Sequence, residues 1–304
     1  MKILITGGLG TIGSVLVNEL RKKKYEVFFC DLSHFHDSQY IRCDISSIWQ
    51  LQRIFNEHKF DYVYHLAAEF GRWNGEDYYD TLWRSNAIGT KNLIRMQEKY
   101  RFRMIFTSSS EVYGDYEGIM KEDVMDKVEI KQLNDYAMTK WINEMQILNS
   151  AASSQTETVR VRLFNTYGPG EKYSSYRSVI CLFAYRALHN IPYTVYLNHH
   201  RSSIFITDVT IALSNIIEKF KPGEVYNIGS NEYHDIKTCS DIILDYLKKN
   251  DSLVTYKDFE KFTTKDKKIA IDKAIRDIDY HPKVTLKEGI PLTIEWMKKE
   301  YNIG

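Results

Sequence analysis

Cysteine is scarce, with only four copies in 304 residues, at widely separated positions 30, 43, 181 and 239. There is no CxxC pair and no His/Asp/Glu cluster with metal-ligand spacing, so a metal site is not expected. Cys30 and Cys43 end apolar runs and are expected to be buried. No uninterrupted apolar run is long enough to span a bilayer, and glycines interrupt the short N-terminal run before it could form a signal peptide. The net charge of +1 gives no indication of a nucleic-acid or membrane partner. We expect a cytoplasmic protein.

What the chain does contain is an alternation of short apolar runs and longer amphipathic stretches. The runs predict strands at 3–6, 26–30, 40–43, 62–66, 104–107 and 159–163, and the stretches predict helices at 12–21, 48–57, 82–99 and 135–148. Repeated βα units indicate an α/β fold with a doubly wound parallel sheet of Rossmann type. Ligands of such sheets bind at the carboxyl ends of the strands.

The pattern changes after residue 163. Tyr167-Gly168-Pro169-Gly170 predicts a turn, followed by helices at 179–189 and 286–299 and strands at 192–197, 203–206 and 225–229. We predict a Rossmann domain over 1–165, to which residues at about 203–229 return, and a smaller, interleaved C-terminal lobe over 166–304 that binds the substrate. The charge-rich segment 261–268 is predicted to be a solvated loop.

A glycine-rich turn separates the first predicted strand from the first predicted helix. In Gly7-Gly8-Leu9-Gly10-Thr11-Ile12-Gly13, the glycines at positions 7, 10 and 13 permit a tight turn, a close approach of a pyrophosphate and close helix–strand packing. Free N–H groups at the helix start, around Thr11 and Ile12, and the helix dipole would hold the phosphates. The turn therefore predicts a dinucleotide site.

Two acidic residues end the next two predicted strands. Asp31 would accept hydrogen bonds from the adenosine ribose and repel a 2′-phosphate, which favours NAD over NADP. Asp44, followed by Ile45, could reach the adenine, and a role as a helix N-cap or turn residue stays open for it.

Tyr136-Ala137-Met138-Thr139-Lys140 places a tyrosine and a lysine on one face of a predicted helix. A neighbouring ammonium and an oxidised nicotinamide would favour the phenolate of a tyrosine whose usual pKa of about 10 makes it a poor base. A pair on the helix surface is the alternative. The run Ser108-Ser109-Ser110-Glu111 follows the fifth predicted strand, where a hydroxyl could hold a substrate oxygen.

Together these motifs resemble the extended short-chain dehydrogenase/reductase family, in its NAD-dependent nucleotide-sugar epimerase/dehydratase group. Further similar segments are His65-Leu66-Ala67-Ala68, Asn86-Ala87-Ile88-Gly89-Thr90, Arg162 to Pro169, Arg201 and Val225 to Gly229. The resemblance implies that Tyr136 is the base at the sugar hydroxyl, Lys140 holds the nicotinamide ribose and Ser109 bonds the reacting oxygen. The remaining implied cofactor contacts are Leu66, Ala67, Ala68, Asn86 and Thr107. The implied substrate contacts are Glu69, Asn165, Arg177 and Arg201, with a plain surface position as the alternative for Arg177.

The reaction is left open between several outcomes of C4 oxidation. A short C-terminal lobe slightly favours an epimerase. Glu111, preceded by Ser110, stands where dehydratases of the group carry their base, and Glu69 also matches the dehydratase pattern, so a 4,6-dehydratase is the first alternative. However, Phe70-Gly71 replaces the Ser-His that often follows Glu69 in dehydratases, and a Ser-Glu-Val-Tyr-Gly run also occurs in sugar-nucleotide decarboxylases and some epimerases. A decarboxylase, a net dehydrogenase and a non-catalytic NAD-sensing protein follow. The resemblance also implies a homodimer formed through the helices at 82–99 and 135–148.

Overall fold

The computed structural model describes residues 1–303, in which strands and helices alternate along most of the chain. The α-helices are α1 Thr11–Lys22, α2 Ile48–Glu57, α3 Arg72–Asp77, α4 Tyr79–Trp83, α5 Gly89–Tyr100, α6 Asp135–Ser154, α7 Val179–Leu188, α8 Ile206–Glu218, α9 Ile236–Leu247, α10 Asp272–Ile278 and α11 Leu286–Glu300. The strands are β1 Lys2–Thr6, β2 Glu26–Asp31, β3 Tyr40–Arg42, β4 Tyr62–His65, β5 Arg103–Ser109, β6 Ile119–Met120, β7 Thr158–Leu163, β8 Thr166–Tyr167, β9 Tyr193–Tyr196, β10 His200–Arg201, β11 Ile204–Phe205, β12 Val225–Ile228, β13 His234–Asp235, β14 Val254–Lys257 and β15 Lys268–Ile269.

The main sheet has seven strands in the order β12-β7-β5-β4-β1-β2-β3, and all of them run parallel. The expected doubly wound α/β sheet is therefore confirmed. The order reverses between β1 and β4, because the chain first builds outward through β2 and β3 and then continues on the other side. A ligand crevice is expected above the carboxyl ends of the strands at this reversal.

Side chains of the main sheet enter two apolar cores, one on each face. Ile3 and Ile5 of β1 pack in a cluster with Leu16 of α1 and Leu213 of α8. Leu4, between them, packs on the opposite face with residues of α2 and α5. This alternation follows from the two-residue period of a strand, and burial on both faces explains why the strands are continuous apolar runs.

The second half of the chain contributes to this sheet and also builds a core of its own. Helix α8 packs in the same cluster as α1, and β12 pairs with β7 at the sheet edge. The separate core joins α7, α9 and α11 through residues such as Phe183, Ile243 and Ile290. The structure differs from the sequence-based expectation at 203–206, because only Ile204–Phe205 is a strand and Ile206 begins α8.

Two other expectations need correction. The helix predicted over 82–99 is interrupted by a π-helical turn at Arg84–Ile88. The segment 261–268 is not a solvated loop throughout, since Thr264 and Lys267 are buried. Cys30 and Cys43 are buried, as expected. No helix within residues 1–303 combines the length and the apolar character needed to cross a membrane.

Candidate active site

A cavity of about 570 Å³ opens at the carboxyl ends of the main-sheet strands. Its wall includes the residue that ends, or directly follows, each of β1, β2, β4, β5 and β7, namely Gly7, Asp31, Leu66, Ser109 and Leu163. Because parallel strands end at the same sheet edge, motifs far apart in sequence meet around this one cavity.

The glycine-rich turn closes one end of the cavity. Gly7 has a φ of +73°, and a Cβ there would lie 2.7 Å from the backbone nitrogen of Ala67. A Cβ on Gly13 would lie 2.1 Å from the carbonyl oxygen of Gly7, so neither position accepts a side chain. Helix α1 has Gly10 as its N-cap, which has no side chain to satisfy the first-turn N–H groups. These groups suit a pyrophosphate.

Asp31 lies in the wall beside this turn. Its Oδ2 accepts a hydrogen bond of 3.0 Å from the Leu9 N–H, and its Oδ1 accepts one of 2.7 Å from the Leu32 N–H. The carboxylate is thus held in place with acceptor capacity left for ribose hydroxyls. Asp44 also lines the cavity, and its Oδ1 accepts the Ser46 N–H at 2.8 Å, so the turn role is formed while the adenine contact stays a prediction.

The structure brings nearly all predicted cofactor residues together. Those lining the cavity are Gly7, Gly10, Thr11, Ile12, Gly13, Asp31, Asp44, Ile45, Leu66, Ala67, Ala68, Thr107, Tyr136 and Lys140. Asn86 is the exception, because it is buried outside the cavity wall. Its Oδ1 accepts the Glu69 N–H at 2.8 Å and its Nδ2 donates to the Glu69 carbonyl at 3.0 Å. Asn86 therefore holds the loop that carries Glu69.

Helix α6 places Tyr136 and Lys140 one turn apart in the wall. Asn134 caps the helix by accepting the Ala137 N–H at 2.8 Å. Burial raises the pKa of Tyr136 to about 12, and a hydrogen bond with Ser109 opposes that rise. Ser109 also accepts the Glu111 N–H at 3.2 Å, which turns the chain away from β5. Tyr136 is therefore protonated at neutral pH, although the Lys140 Nζ lies 5.9 Å from the centre of its ring, and its action as a base requires further positive charge.

Lys140 is buried, and its Nζ donates to the Thr107 carbonyl at 2.9 Å. Burial lowers the pKa of Lys140 to about 8, although the nearby Glu144 carboxylate opposes this. His65 lies close behind, and burial together with the charge of Lys140 lowers the pKa of His65 to about 3. His65 is thus neutral, so Lys140 is the cation on this side of the cavity.

Glu111 lines the cavity beside Ser109 and forms an ion pair with the Nζ of Lys267. Burial would raise the pKa of Glu111, but Lys267 and then Arg72 outweigh burial and bring it to about 2. Arg72 itself pairs with Glu260 at 3.1 Å. Near Glu111 the cavity wall therefore contains the carboxylates of Glu111 and Glu260 and the guanidinium of Arg72, while Lys267 lies behind Glu111 and outside the wall.

The predicted substrate residues Glu69, Asn165, Arg177 and Arg201 all line the cavity. The Asn165 Oδ1 is buried and has no hydrogen-bond partner among residues 1–303, so it is available to a bound molecule. The guanidinium of Arg177 lies 3.9 Å above the Phe70 ring. Arg201 already donates to the carbonyls of His200 and Lys265, at 2.8 and 2.7 Å.

Sequence reasoning missed Lys267 and its neighbours. The ion pair with Glu111 joins residues 156 positions apart, which no local pattern reveals. Thr194, Tyr196, Glu171 and Glu260 of the C-terminal half also line the cavity. Lys267 lies within the charge-rich segment 261–268, and nothing in that sequence indicates that this one charged residue is buried.

The chain belongs to the NAD dependent epimerase/dehydratase family, whose sequence profile matches residues 3–229. It is 29% identical to UDP-N-acetyl-alpha-D-glucosaminuronate decarboxylase of Bacillus cytotoxicus, over 99% of each chain. It is 26% identical to dTDP-glucose 4,6-dehydratase of Salmonella typhimurium, over 97% of this chain and 92% of that one. The UDP-glucuronic acid 4-epimerase of Bacillus cereus, solved with UDP-glucuronic acid and NAD, superimposes with a TM-score of 0.86, 25% identity and coverage of 99% and 100%.

These comparisons confirm the family predicted from the motifs and its cofactor, NAD. The three relatives represent three reaction types, so membership of the family defines an NAD-dependent enzyme and leaves its reaction to be decided by the residues around the cavity.

Proposed function

We propose that this enzyme is a nucleotide-sugar 4,6-dehydratase. It would oxidise C4 of a nucleotide-activated hexose, remove water across C5 and C6, and reduce C6. The observation that carries the proposal is the charged carboxylate of Glu111, of which only 15% of the side chain is exposed, in the cavity wall next to Ser109 and Tyr136. A C4 ketone acidifies the proton on C5, and a carboxylate at that position can accept it.

Each residue then has a defined role in the reaction. Tyr136 accepts the proton of the C4 hydroxyl, while Ser109 hydrogen-bonds the same oxygen and Lys140 supplies the local positive charge. NAD, when bound at the glycine-rich turn, supplies the hydride acceptor and later the hydride donor. Glu111 takes the proton from C5 and gives it to O6 as the C6–O bond breaks, which releases water. C5 then takes up a proton from solvent and Tyr136 releases the C4-hydroxyl proton to solvent, so the product differs from the substrate by one water.

Two other reactions are tested with the same enzyme. The sequence slightly favours an epimerase, but an epimerase has no need for a second base, and Glu111 would serve only to place the sugar. A decarboxylase is supported by the cations Arg72 and Arg201 in the cavity wall, which suit a sugar carboxylate, and by the similarity to the Bacillus cytotoxicus decarboxylase. In that reaction the bond to the carboxylate breaks in place of the C5–H bond.

The test is product analysis in D₂O with UDP-, GDP-, dTDP- and CDP-linked hexoses and hexuronates. A dehydratase gives a product lighter by one water, with deuterium at C5 and no 6-hydroxyl. Loss of carbon dioxide from a hexuronate would assign a decarboxylase. An unchanged mass with inversion at C4 and no deuterium at C5 would assign an epimerase and overturn the proposal.

Two matched variants separate the steps. Glu111→Gln keeps the size of the side chain and removes the base, so reduced cofactor should still form in a single turnover while water loss falls by about 100-fold or more. Tyr136→Phe should lower both steps by about 10²–10⁴-fold, because only the proton-transfer oxygen is lost. Equal loss of both steps in Glu111→Gln would contradict a role confined to C5.

We further propose that Glu69, Asn165, Arg177 and Arg201 bind the nucleotide sugar and that the enzyme is a homodimer. The buried Oδ1 of Asn165, which has no partner within residues 1–303, supports the first proposal. Exposed apolar side chains on α6 support the second proposal.

A further inference from the structure

Lys267 is a buried cation that contacts the reaction site only through Glu111. Its Nζ bonds the Glu111 Oε1, and 2% of its side chain is exposed. Glu111, and not Lys267, forms part of the cavity wall. An ammonium this deeply buried is costly unless it is paired, so its position requires a second charge of opposite sign. Glu111 provides that charge.

The main chain around Lys267 is fixed independently of this ion pair. We name residues 260–267 the strap. The Lys267 N–H donates to the His200 carbonyl at 3.1 Å, and the His200 N–H donates to the Lys265 carbonyl at 2.8 Å. Asp266 is held by His200 Nδ1 at 2.8 Å and by the Tyr233 hydroxyl at 2.6 Å. Directly after the strap, β15 pairs with β6.

The strap also reaches the loop on the other side of the cavity. Arg72 bonds Glu260 at 3.1 Å, and the Trp73 ring meets the Phe262 ring edge-on at 5.0 Å. A shift of the strap would therefore break the contacts of residues 265–267 with His200 and Tyr233 as well as the contacts of residues 260–262 with Arg72 and Trp73. Rigid main-chain support of this kind is what a precisely placed functional side chain requires.

The charged and titratable groups that face Glu111 come from several elements packed around it. They are the cations Lys267 of the strap, Arg72 of α3 and Arg201 of β10, and the neutral hydroxyl of Tyr136 on α6. Burial alone would raise the pKa of Glu111, and Lys267 is the largest of the cationic influences that oppose it. The two arginines remain when Lys267 is replaced, but neither of them bonds the Glu111 carboxylate in the structure described for residues 1–303.

We propose that Lys267 is a positioning residue that fixes the Glu111 carboxylate in the cavity wall as a charged, oriented base. This inference rests on the proposed function only for the identity of the proton that Glu111 takes. Lys267 acts through Glu111 and does not touch the substrate.

The first experiment compares Lys267→Met and Lys267→Arg with the wild type. Lys267→Met keeps most of the side-chain volume and removes the charge, so the rate of C5–deuterium exchange at pH 7 should fall about 10-fold or more, with KM changed by less than about threefold. The acidic limb of the rate profile should move to higher pH, because Glu111 then binds a proton more readily. Lys267→Arg should restore most of the rate. Lys268→Met, at the exposed neighbouring position, is the control and should behave like the wild type.

The second experiment does not depend on the reaction. With glutamate labelled by ¹³C at the carboxyl group, the Glu111 resonance is assigned by its loss in Glu111→Gln. In the wild type it should not titrate above about pH 4, and in Lys267→Met its titration should move upward toward or beyond the usual glutamate value of about 4.3. An unchanged titration would overturn the inference whatever the enzyme's reaction is. Absence of C5 exchange in the wild type, with the shifted titration in Lys267→Met, would instead overturn only the proposed dehydratase function.

A double variant covers the case in which Lys267→Met does not fold. Lys267→Met with Glu111→Gln removes both charges, and a neutral pair can remain buried where a lone charge cannot. If Lys267 acts only through Glu111, the double variant should lose no more activity than Glu111→Gln alone. A further loss of about 10-fold or more would show that Lys267 has a separate role and would contradict the inference.

Discussion

Asp31 uses both carboxylate oxygens to accept main-chain N–H groups, from Leu9 and from Leu32. It therefore shapes the glycine-rich turn and also lines the cavity where we expect the adenosine ribose. Its charge should repel a 2′-phosphate, so the wild type should bind NAD at least about 10-fold more tightly than NADP, a ratio that corresponds to about 1.4 kcal/mol. Calorimetry on the wild type and on Asp31→Asn, which keeps the shape and loses the charge, measures this. Equal affinities of the wild type for the two cofactors would remove Asp31 as the selecting residue.

The buried ammonium of Lys140 lowers the folding stability of the cofactor-free protein. Burial lowers its pKa from 10.5 to about 8, so at neutral pH the folded protein without cofactor carries an ammonium that is more stable in the unfolded chain. A shift of this size corresponds to roughly 3 kcal/mol at 1.36 kcal/mol per pKa unit. Lys140→Met should therefore stabilise the cofactor-free protein at pH 7 by up to about that amount, less the lost hydrogen bond to Thr107, while activity is lost.

The pH dependence of this effect has a definite sign. Between pH 8 and 10.5 the unfolded chain binds the Lys140 proton and the folded chain does not, so the stability of the wild type rises with pH in that window. The difference between Lys140→Met and the wild type is thus largest below about pH 8 and shrinks above it. Urea denaturation of both proteins at about pH 7 and pH 9.5 tests this. A variant less stable than the wild type at both pH values would contradict it.

At the scale of elements, α6 is attached to the sheet by a buried ionic cluster. Glu144 has no exposed surface and accepts hydrogen bonds from Arg162 at 2.8 Å, Arg160 at 3.2 Å and the Ser108 hydroxyl at 2.5 Å. These partners lie on β7 and β5, and Glu144 lies one turn beyond Lys140 on the helix. The cluster therefore sets the distance between α6, which carries Tyr136 and Lys140, and β5, which carries Ser109.

Glu144→Gln should destabilise the protein by about 3–5 kcal/mol, because it leaves buried arginine charge without its counter-ion. The matched control is Glu157→Gln, which breaks the 2.8 Å pair with Arg103 at a site where both side chains are about half exposed. That change should cost no more than about 1 kcal/mol. Denaturant titrations of both variants give the comparison. Similar small losses in both would show that the cluster does not hold α6 to the sheet.

Sequence patterns predicted elements well where local periodicity decides the structure. Helix α2 has the predicted bounds, since its apolar residues repeat at helical spacing on one side. Helix α8 was missed because ITDVTIALSNIIE is rich in β-branched residues, which favour strands, and its helical state depends on packing against α1. The π-helical turn at Arg84–Ile88 has no sequence signature, yet it lies where Asn86 holds the Glu69 loop.

At the scale of the whole molecule, the parallel sheet explains why the site could be predicted so far. The carboxyl ends of all strands in a parallel sheet lie at the same edge, so residues predicted at separate carboxyl ends had to lie close together. Contacts that the C-terminal half brings in, above all Lys267 to Glu111, depend on how that half folds back over the sheet. No periodicity within 261–268 could show which of its lysines is buried.

An apolar surface on α6 is exposed at the outside of the molecule. Helix α6 exposes Met138, Ile142, Met145 and Leu148, each about two-fifths accessible and spaced so that they share one face of the helix. Helix α5 lies beside α6, and the Glu98 carboxylate accepts the Ser150 hydroxyl at 2.9 Å, so the two helices present a joined surface. The rest of residues 1–303 leaves about two-fifths of each of these side chains open to solvent. A contiguous apolar patch of this kind marks a protein–protein contact.

We predict that the enzyme is a homodimer in which two such surfaces pack together about a twofold axis. Ile142→Glu would bury two charges at the centre of that contact and should shift the protein to monomer in sedimentation velocity at micromolar concentration. Leu292→Glu is the control, because Leu292 is 53% exposed on α11, a helix that packs with α7 and α9, and this variant should leave the sedimentation coefficient unchanged. A wild-type monomer at the same concentration would refute the dimer. Dissociation by Leu292→Glu with no effect of Ile142→Glu would place the contact on another face of the molecule.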